Sequence, residues 1–245
     1  MSRRLIHNWR VLFSLVGFVI ASLQNSAIVP VSRQDADWMN RHNAMVAVGQ
    51  KGESQIVFIG DSITHAFGGD PDTGEDFHNR GKDTWDLYYG ADKPLNLGIS
   101  GDQTQYFLWR LKQGQSNDMP LTAVSLMIGT NNAFLNTPDQ IRDGIQAIVN
   151  MIRIQKPKAK ILLLGIFPRG EKPDDAGRLK VIEINKLLVA LGQQRNVTFM
   201  DIGSKFLQPD GTISREVMGD FLHPTDKGYQ IWADAVEPWM QANAK

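Results

Sequence analysis

The sequence predicts an α/β fold in which a parallel sheet of five strands is covered by helices on both faces. Three observations lead there. Five short apolar runs are spaced along the chain, each followed by glycine or aspartate. Stretches with helical periodicity separate them. The runs are continuously apolar rather than alternating, which is how strands buried on both faces read. Strand–helix alternation of this kind gives a parallel sheet between two helical layers.

The elements follow in order. Residues 28–54 form a polar extension with one helix over Asp35 to Val48. Gln55 to Ile59, a β-branched and aromatic run, is the first strand and ends at Gly60. Gly68 to Lys82 is rich in Gly, Asp and Asn and reads as a surface loop. Pro94 to Leu97 is a short second strand, and Gln103 to Lys112 a helix. Ala123 to Ile128 is the third strand, ending at Gly129. Pro138 to Gln155 is a helix with proline just inside its start and Thr137 as cap. Lys160 to Leu164 is the fourth strand, Ala176 to Gln194 a helix, Val197 to Met200 the fifth strand and Thr225 to Ala242 the last helix.

Composition narrows the function. The chain has 245 residues, 42% hydrophobic and 21% charged, enough to bury a core without disulfide or metal support. Lys plus Arg and Asp plus Glu are 26 each, and no basic run with interleaved aromatics points to nucleic acid. Absence of cysteine excludes disulfides, thiolate metal sites and a cysteine nucleophile. Residues 1–27 read differently. Arg3, Arg4 and Arg10 precede an apolar run from Val11 to Leu23, the order of a signal peptide or N-terminal membrane anchor. The run is shorter than the roughly 20 residues that span a bilayer comfortably. Val19-Ile20-Ala21 and Asn25-Ser26-Ala27 are candidate cleavage sites. The expectation is an exported protein, periplasmic or secreted, or an anchored one if the segment is retained. Membrane contact is expected only through residues 1–27.

In folds of this type ligands bind beyond the carboxyl ends of the strands, at the topological switch point. Ser62, in Gly60-Asp61-Ser62-Ile63-Thr64, sits at such an end. Serine is a weak nucleophile until a base takes its proton. Of five histidines, His7 lies in the export segment and His42 before the core, while His65 and His78 flank the Gly/Asp loop. His223 directly precedes the last helix, with Asp220 one turn before it. The carboxylate can fix the imidazole tautomer while the other ring nitrogen receives the serine proton. Ester hydrolysis also needs donors for an oxyanion. Two post-strand segments can supply them: Asn96 to Asp102, which includes Gly101, and Gly129-Thr130-Asn131-Asn132.

These segments resemble the blocks of the SGNH, or GDSL, hydrolase superfamily, in the expected order, from about Ser54 to the C-terminus. The likeness is to the branch of platelet-activating-factor acetylhydrolase catalytic subunits and their bacterial relatives. It is carried by Val57-Phe58-Ile59-Gly60-Asp61-Ser62, Asn96 to Asp102 with Leu108-Trp109-Arg110-Leu111, Gly129-Thr130-Asn131-Asn132, Phe167-Pro168-Arg169-Gly170 and Phe221-Leu222-His223. The resemblance implies a flavodoxin-like three-layer α/β/α sandwich, the SGNH hydrolase fold, over residues 55–245. It implies Ser62 as nucleophile, His223 as base and Asp220 as its orienting acid. The Ser62 N–H, the Gly101 N–H and the Asn131 amide would form the oxyanion hole. No metal or organic cofactor is implied. Ile63 departs conservatively from the GDSL spelling, and Ser100 stands where relatives often carry glycine. The export-like segment departs from the intracellular enzymes.

The expected activity is therefore esterase chemistry on short acyl groups, acetyl above all. Within the superfamily, an exported carbohydrate O-acetylesterase or a lysophospholipase-type lipase are the alternatives. From other classes, a non-catalytic ligand-binding module predicts damage to these residues, and none is visible. A phosphatase would use Asp61 and Thr64 but lacks a second acid at Ile63. Ser100, in Gly98 to Asp102, is a minor alternative nucleophile. Asp70, Asp72 and Asp76 do not meet the EF-hand pattern, because Glu75 and Gly81 occupy its glycine and glutamate places. Asp61, Asn132, Trp85, Trp109 and Arg169 are candidate substrate-binding residues, with Tyr88 and Phe134 as further pocket aromatics.

Overall fold

The computed structural model describes residues 25–74 and 78–244. The charged and apolar parts of the export-like segment lie outside the described residues, as does the first candidate cleavage site. The sheet has five parallel strands: β1 (Ile56–Gly60), β2 (Leu95–Asn96), β3 (Ala123–Met127), β4 (Lys160–Leu164) and β5 (Val197–Met200). Their spatial order is β2-β1-β3-β4-β5. The order reverses at β1, so the switch-point crevice opens between the carboxyl ends of β1 and β3. The register sets Gly60 opposite Met127 there.

Alternating strand residues build two cores. Val57 and Ile59 of β1 face one side with Val124, Leu126, Ile161 and Leu163. That side is covered by α1 (Ala36–Gly49), α4 (Thr104–Lys112), α5 (Pro138–Gln155) and α6 (Ala176–Leu188). Ile56 and Phe58 face the other with Met127, Leu162 and Leu164. There α2 (Ser62–His65), α3 (Lys82–Tyr89) and α7 (Asp226–Asn243) close the layer. The result is a three-layer α/β/α sandwich, as expected.

Helix starts follow sequence chemistry. Thr137 and Gln140 form a reciprocal capping box with Pro138 in the first turn of α5. Thr225 caps α7 by accepting from the Gly228 N–H. Three features differ from the sequence expectation. The helix from Ala176 ends at Leu188 and continues as a 3₁₀ turn, Val189–Gln193. The stretch read as a surface loop is partly structural: Asp70 bridges to Leu95 at the sheet edge, and His78 is buried against the His65 carbonyl. The two short helices α2 and α3 carry too few turns for a periodic signal, and α3 has no side-chain cap. Trp85 and Tyr89 hold α3 instead, packed on Phe58.

The residues before β1 are woven into the sandwich. Ala27 is fully buried, and its carbonyl accepts from Thr104 Oγ1 at 2.8 Å. Asn25 Nδ2 donates to the Gln140 carbonyl at 3.2 Å. Trp38 and Met45 of α1 belong to the core. No helix among the described residues is long and apolar enough to cross a membrane.

Candidate active site

β1 delivers Ser62 to the switch point through a turn that only glycine can enter. A Cβ on Gly60 would lie 2.0 Å from Thr64 Oγ1 and 2.5 Å from the Met127 carbonyl oxygen. Asp61 then caps α2: its Oδ1 accepts from the Ile63 N–H at 3.0 Å. This carboxyl is fully enclosed. Burial pushes its pKa up to about 7, against the opposing pull of the Ile63 N–H.

Ser62 Oγ lies 2.9 Å from His223 Nε2, and His223 Nδ1 lies 2.7 Å from Asp220 Oδ2. An ionised carboxylate can only accept, so Nδ1 carries the proton and Nε2 accepts from the serine hydroxyl. Asp220 also builds the turn that presents the ring. Its Oδ1 accepts from the Leu222 N–H at 3.1 Å and the His223 N–H at 2.7 Å. Partial burial raises the Asp220 pKa, but the His223 side-chain and backbone donors outweigh it and hold the carboxyl below its ordinary value. Between them Phe221 adopts a positive φ of 60°, which a bulky residue enters only under constraint. The Gly170 N–H on its carbonyl at 2.9 Å and the Arg215 guanidinium 4.3 Å over its ring supply that constraint.

The glycine loop after β2 lies against α2. A Cβ on Gly98 would meet the His65 nitrogen at 2.4 Å. Accounting for the loop's N–H groups singles one out. Leu97 donates to the Phe58 carbonyl, Gly98 to Asn96 Oδ1 and Ile99 to the Gly60 carbonyl. Ser100 donates to His65 Nδ1 and Asp102 to the Ile99 carbonyl. Gly101, at φ 78°, donates to no protein acceptor among the described residues. Asn131 reaches the same loop: its Nδ2 donates to the Asp102 carbonyl at 3.0 Å. An amide nitrogen carries two hydrogens, so one bond fixes the group and one donor is left. Ser62 begins α2, where the first N–H groups have no intrahelical acceptor.

The remaining candidates divide. Arg169 lies at the site's rim. Its Nη1 donates to the Thr130 carbonyl and hydroxyl, both at 3.0 Å, and its guanidinium sits 4.7 Å over the Phe134 ring. Both residues line a cleft of about 680 Å³ that reaches Asp220, Phe221 and Leu222. Trp85 is 3% exposed and packs in the core on Phe67; the one cleft it edges, with Asp70 and Lys82, includes none of Ser62, Asp220 and His223. Trp109 packs on Trp38 and His42 between α1 and α4. Asn132 is fully buried and accepts from the Thr104 N–H, a brace between loops. Asp61 serves as the cap of α2 and has no exposed surface to offer a ligand. Tyr88 bonds Asp234 across α3 and α7. A second cavity of about 610 Å³, lined by Ile166, Val181 and Phe199 among others, contains none of the candidate residues.

The sequence reading missed one buried cluster. Asp102, fully buried, accepts from Arg110 Nη2 at 2.6 Å and Trp38 Nε1 at 2.7 Å, and Arg110 also holds the Leu97 carbonyl at 3.0 Å. The signal was an arginine within the otherwise apolar Leu108 to Leu111 stretch.

A parallel α/β sandwich with this serine at its switch point is built as a hydrolase. The chain belongs to the GDSL-like lipase/acylhydrolase family, whose model matches residues 58–231. It is an acylhydrolase, an enzyme class that acts on esters. It is 36% identical over 210 residues to platelet-activating factor acetylhydrolase IB subunit alpha2 of Rattus norvegicus, covering 84% of this chain and 86% of the relative. The human alpha1 subunit is 34% identical over 211 residues, covering 84% and 85%. Among solved structures, a putative acylhydrolase from Bacteroides fragilis superposes with a TM-score of 0.67 at 18% identity, covering 86% of this chain and 99% of that one. A carbohydrate acetylesterase family member from Sinorhizobium meliloti gives 0.59 at 18%, covering 77% and 98%.

Proposed function

We propose that the protein hydrolyses short-chain acyl esters, acetyl esters foremost, by two-step acyl transfer through Ser62. The observation that carries the reading is the unbroken hydrogen-bond chain from Ser62 through His223 to Asp220. Ser62 Oγ bonds to the ester carbonyl carbon as His223 Nε2 takes its proton. The Gly101 and Ser62 N–H groups and the Asn131 amide receive the oxyanion. When the tetrahedral adduct collapses, the bond to the alcohol breaks and His223 returns the proton to it. Water repeats the sequence and releases the acid.

Acetyl preference draws support from the acetylhydrolase relatives. The lining of the adjoining cleft bears on the alcohol. Arg169, Asp175 and Lys180 stand there beside Phe134 and Leu222, a mixed wall suited to a polar alcohol. That favours an acetylated sugar over a long-chain lipid as the second reading. The proposal includes export. Processing after Ala21 leaves Asn25 and the buried Ala27 in place, whereas processing after Ala27 removes both.

The test is p-nitrophenyl acetate turnover by the wild-type protein and Ser62→Ala. The variant is expected to lose on the order of a thousandfold or more. Undiminished turnover in Ser62→Ala, or magnesium-dependent phosphatase activity abolished by Asp61→Asn, would overturn the reading.

A further inference from the structure

Three arginines grip the carbonyl side of the glycine loop. Arg110 Nη2 donates to the Leu97 carbonyl at 3.0 Å, Arg41 Nε to the Gly98 carbonyl at 2.8 Å and Arg33 Nη1 to the Ser100 carbonyl at 2.6 Å. Arg41 and Arg110 are buried core residues. Arg33 is different. It comes from the segment ahead of α1, is part-exposed at 26%, and holds the last carbonyl before Gly101.

The segment is tethered on either side of it. Upstream, the Val31 N–H donates to the Gln105 carbonyl at 3.3 Å. Downstream, Asp35 caps α1 at the Trp38 N–H, 3.0 Å away. Asp35 Oδ2 also accepts from Arg33 Nε at 2.9 Å, and buried Asp102 lies 3.9 Å from Arg33 Nη1. The guanidinium is thus aimed before any ligand arrives.

The geometry of one peptide unit connects this grip to chemistry. In a trans peptide the carbonyl and the following N–H point in opposite directions. The carbonyl of the Ser100–Gly101 peptide is taken by Arg33. Its N–H is the one in the loop with no protein acceptor among the described residues. Glycine at φ 78° lets such a peptide rotate at little cost, so its direction needs an external hold. A charged donor on the carbonyl also polarises the N–H on the far side.

We propose that Arg33 is a positioning residue for acyl transfer: by holding the Ser100 carbonyl it fixes the Gly101 N–H in the direction of the developing oxyanion. The inference rests on the Ser62 reading above. It makes the segment before α1 a part of the catalytic apparatus. A Cβ on Gly101 would lie 3.1 Å from Arg33 Nη1, so the two are in intimate contact and the hold is direct.

The experiment measures p-nitrophenyl acetate kinetics for Arg33→Ala, Arg33→Lys and Ser62→Ala alongside the wild type. Arg33→Ala is expected to lose about ten- to a hundredfold in kcat, the range of one charge-assisted hydrogen bond, with KM within about twofold. Affinity for a boronic acid that forms a tetrahedral adduct on Ser62 falls in step with kcat. Affinity for product acetate does not. Guanidinium ion, below denaturing concentrations, restores part of the Arg33→Ala rate, and Arg33→Lys is intermediate. Full kcat in Arg33→Ala with an inactive Ser62→Ala overturns the inference and leaves the esterase reading standing. A loss matched by an equal loss of folded protein, without guanidinium rescue and with normal kcat in Arg33→Lys, also overturns it. Activity surviving in Ser62→Ala overturns the reading beneath both.

Discussion

Asp220 holds His223 twice, once through the backbone N–H and once through ring Nδ1, each at 2.7 Å. One carboxylate therefore shapes the turn and selects the tautomer. Asp220→Asn separates these roles. Its Oδ1 can still accept from the backbone, but the amide nitrogen can face Nδ1 and drive the proton to Nε2. That leaves Ser62 without a base. The expected result is a fall in kcat of about 10²–10⁴-fold with a melting temperature close to wild type, checked by steady-state kinetics and thermal unfolding.

Asn131 is fixed by the Asp102 carbonyl and contributes a side-chain donor to the proposed oxyanion hole. Asn131→Ala should lower kcat by about 10²–10³-fold with little change in KM, because the donor is needed chiefly when charge develops. An equal rise in KM instead would assign the amide to ground-state binding.

Asp61 gives a pH-dependent stability. Its pKa rises from 3.8 to about 7 in the folded protein, chiefly through burial. The folded state therefore binds more protons than the unfolded state within that window, and stability falls as pH rises across it. The size is a few kcal/mol, about 1.4 for each pH unit of the window. Asp61→Asn keeps the oxygen that caps α2 and removes the titration. Denaturant unfolding should show wild type losing stability relative to Asp61→Asn from about pH 4 to about pH 7, with the difference level above. Parallel curves would remove Asp61 as the source.

The Asp102–Arg110 pair is fully enclosed, both side chains at 0% exposure. Removing one partner leaves the other charged and buried. Arg110→Met should cost about 3–5 kcal/mol in urea unfolding. It also frees the Leu97 carbonyl, so residual activity should fall beyond the loss of folded protein.

The strands were legible because each lies in a short, mostly apolar run closed by glycine or aspartate. Lys160–Leu164 and Pro138–Gln155 fall at the expected residues. Ser62, Asp220 and His223 stood out because their residue types suit one reaction and their places lie at strand ends or a helix start. What eluded the sequence is burial within irregular segments. Trp85 and Trp109 look alike in sequence to pocket aromatics, yet both are packing residues, because loops and short helices carry no period to say which way they face. Asn132 follows Asn131 directly but points into the core as a brace. Arg33 eluded it for another reason. Its partner Ser100 is 67 positions away, and a single arginine in a polar extension carries no signal of so distant a bond.

The hydrogen bond between Ser62 and His223 closes a span of 161 residues. The proposed nucleophile leaves the ribosome early, while its proposed base, just ahead of the final helix, emerges late. On the proposed mechanism, a nascent chain that has not reached His223 carries a serine without its base. Acquisition of hydrolytic power becomes a stopwatch for completion of the whole sandwich.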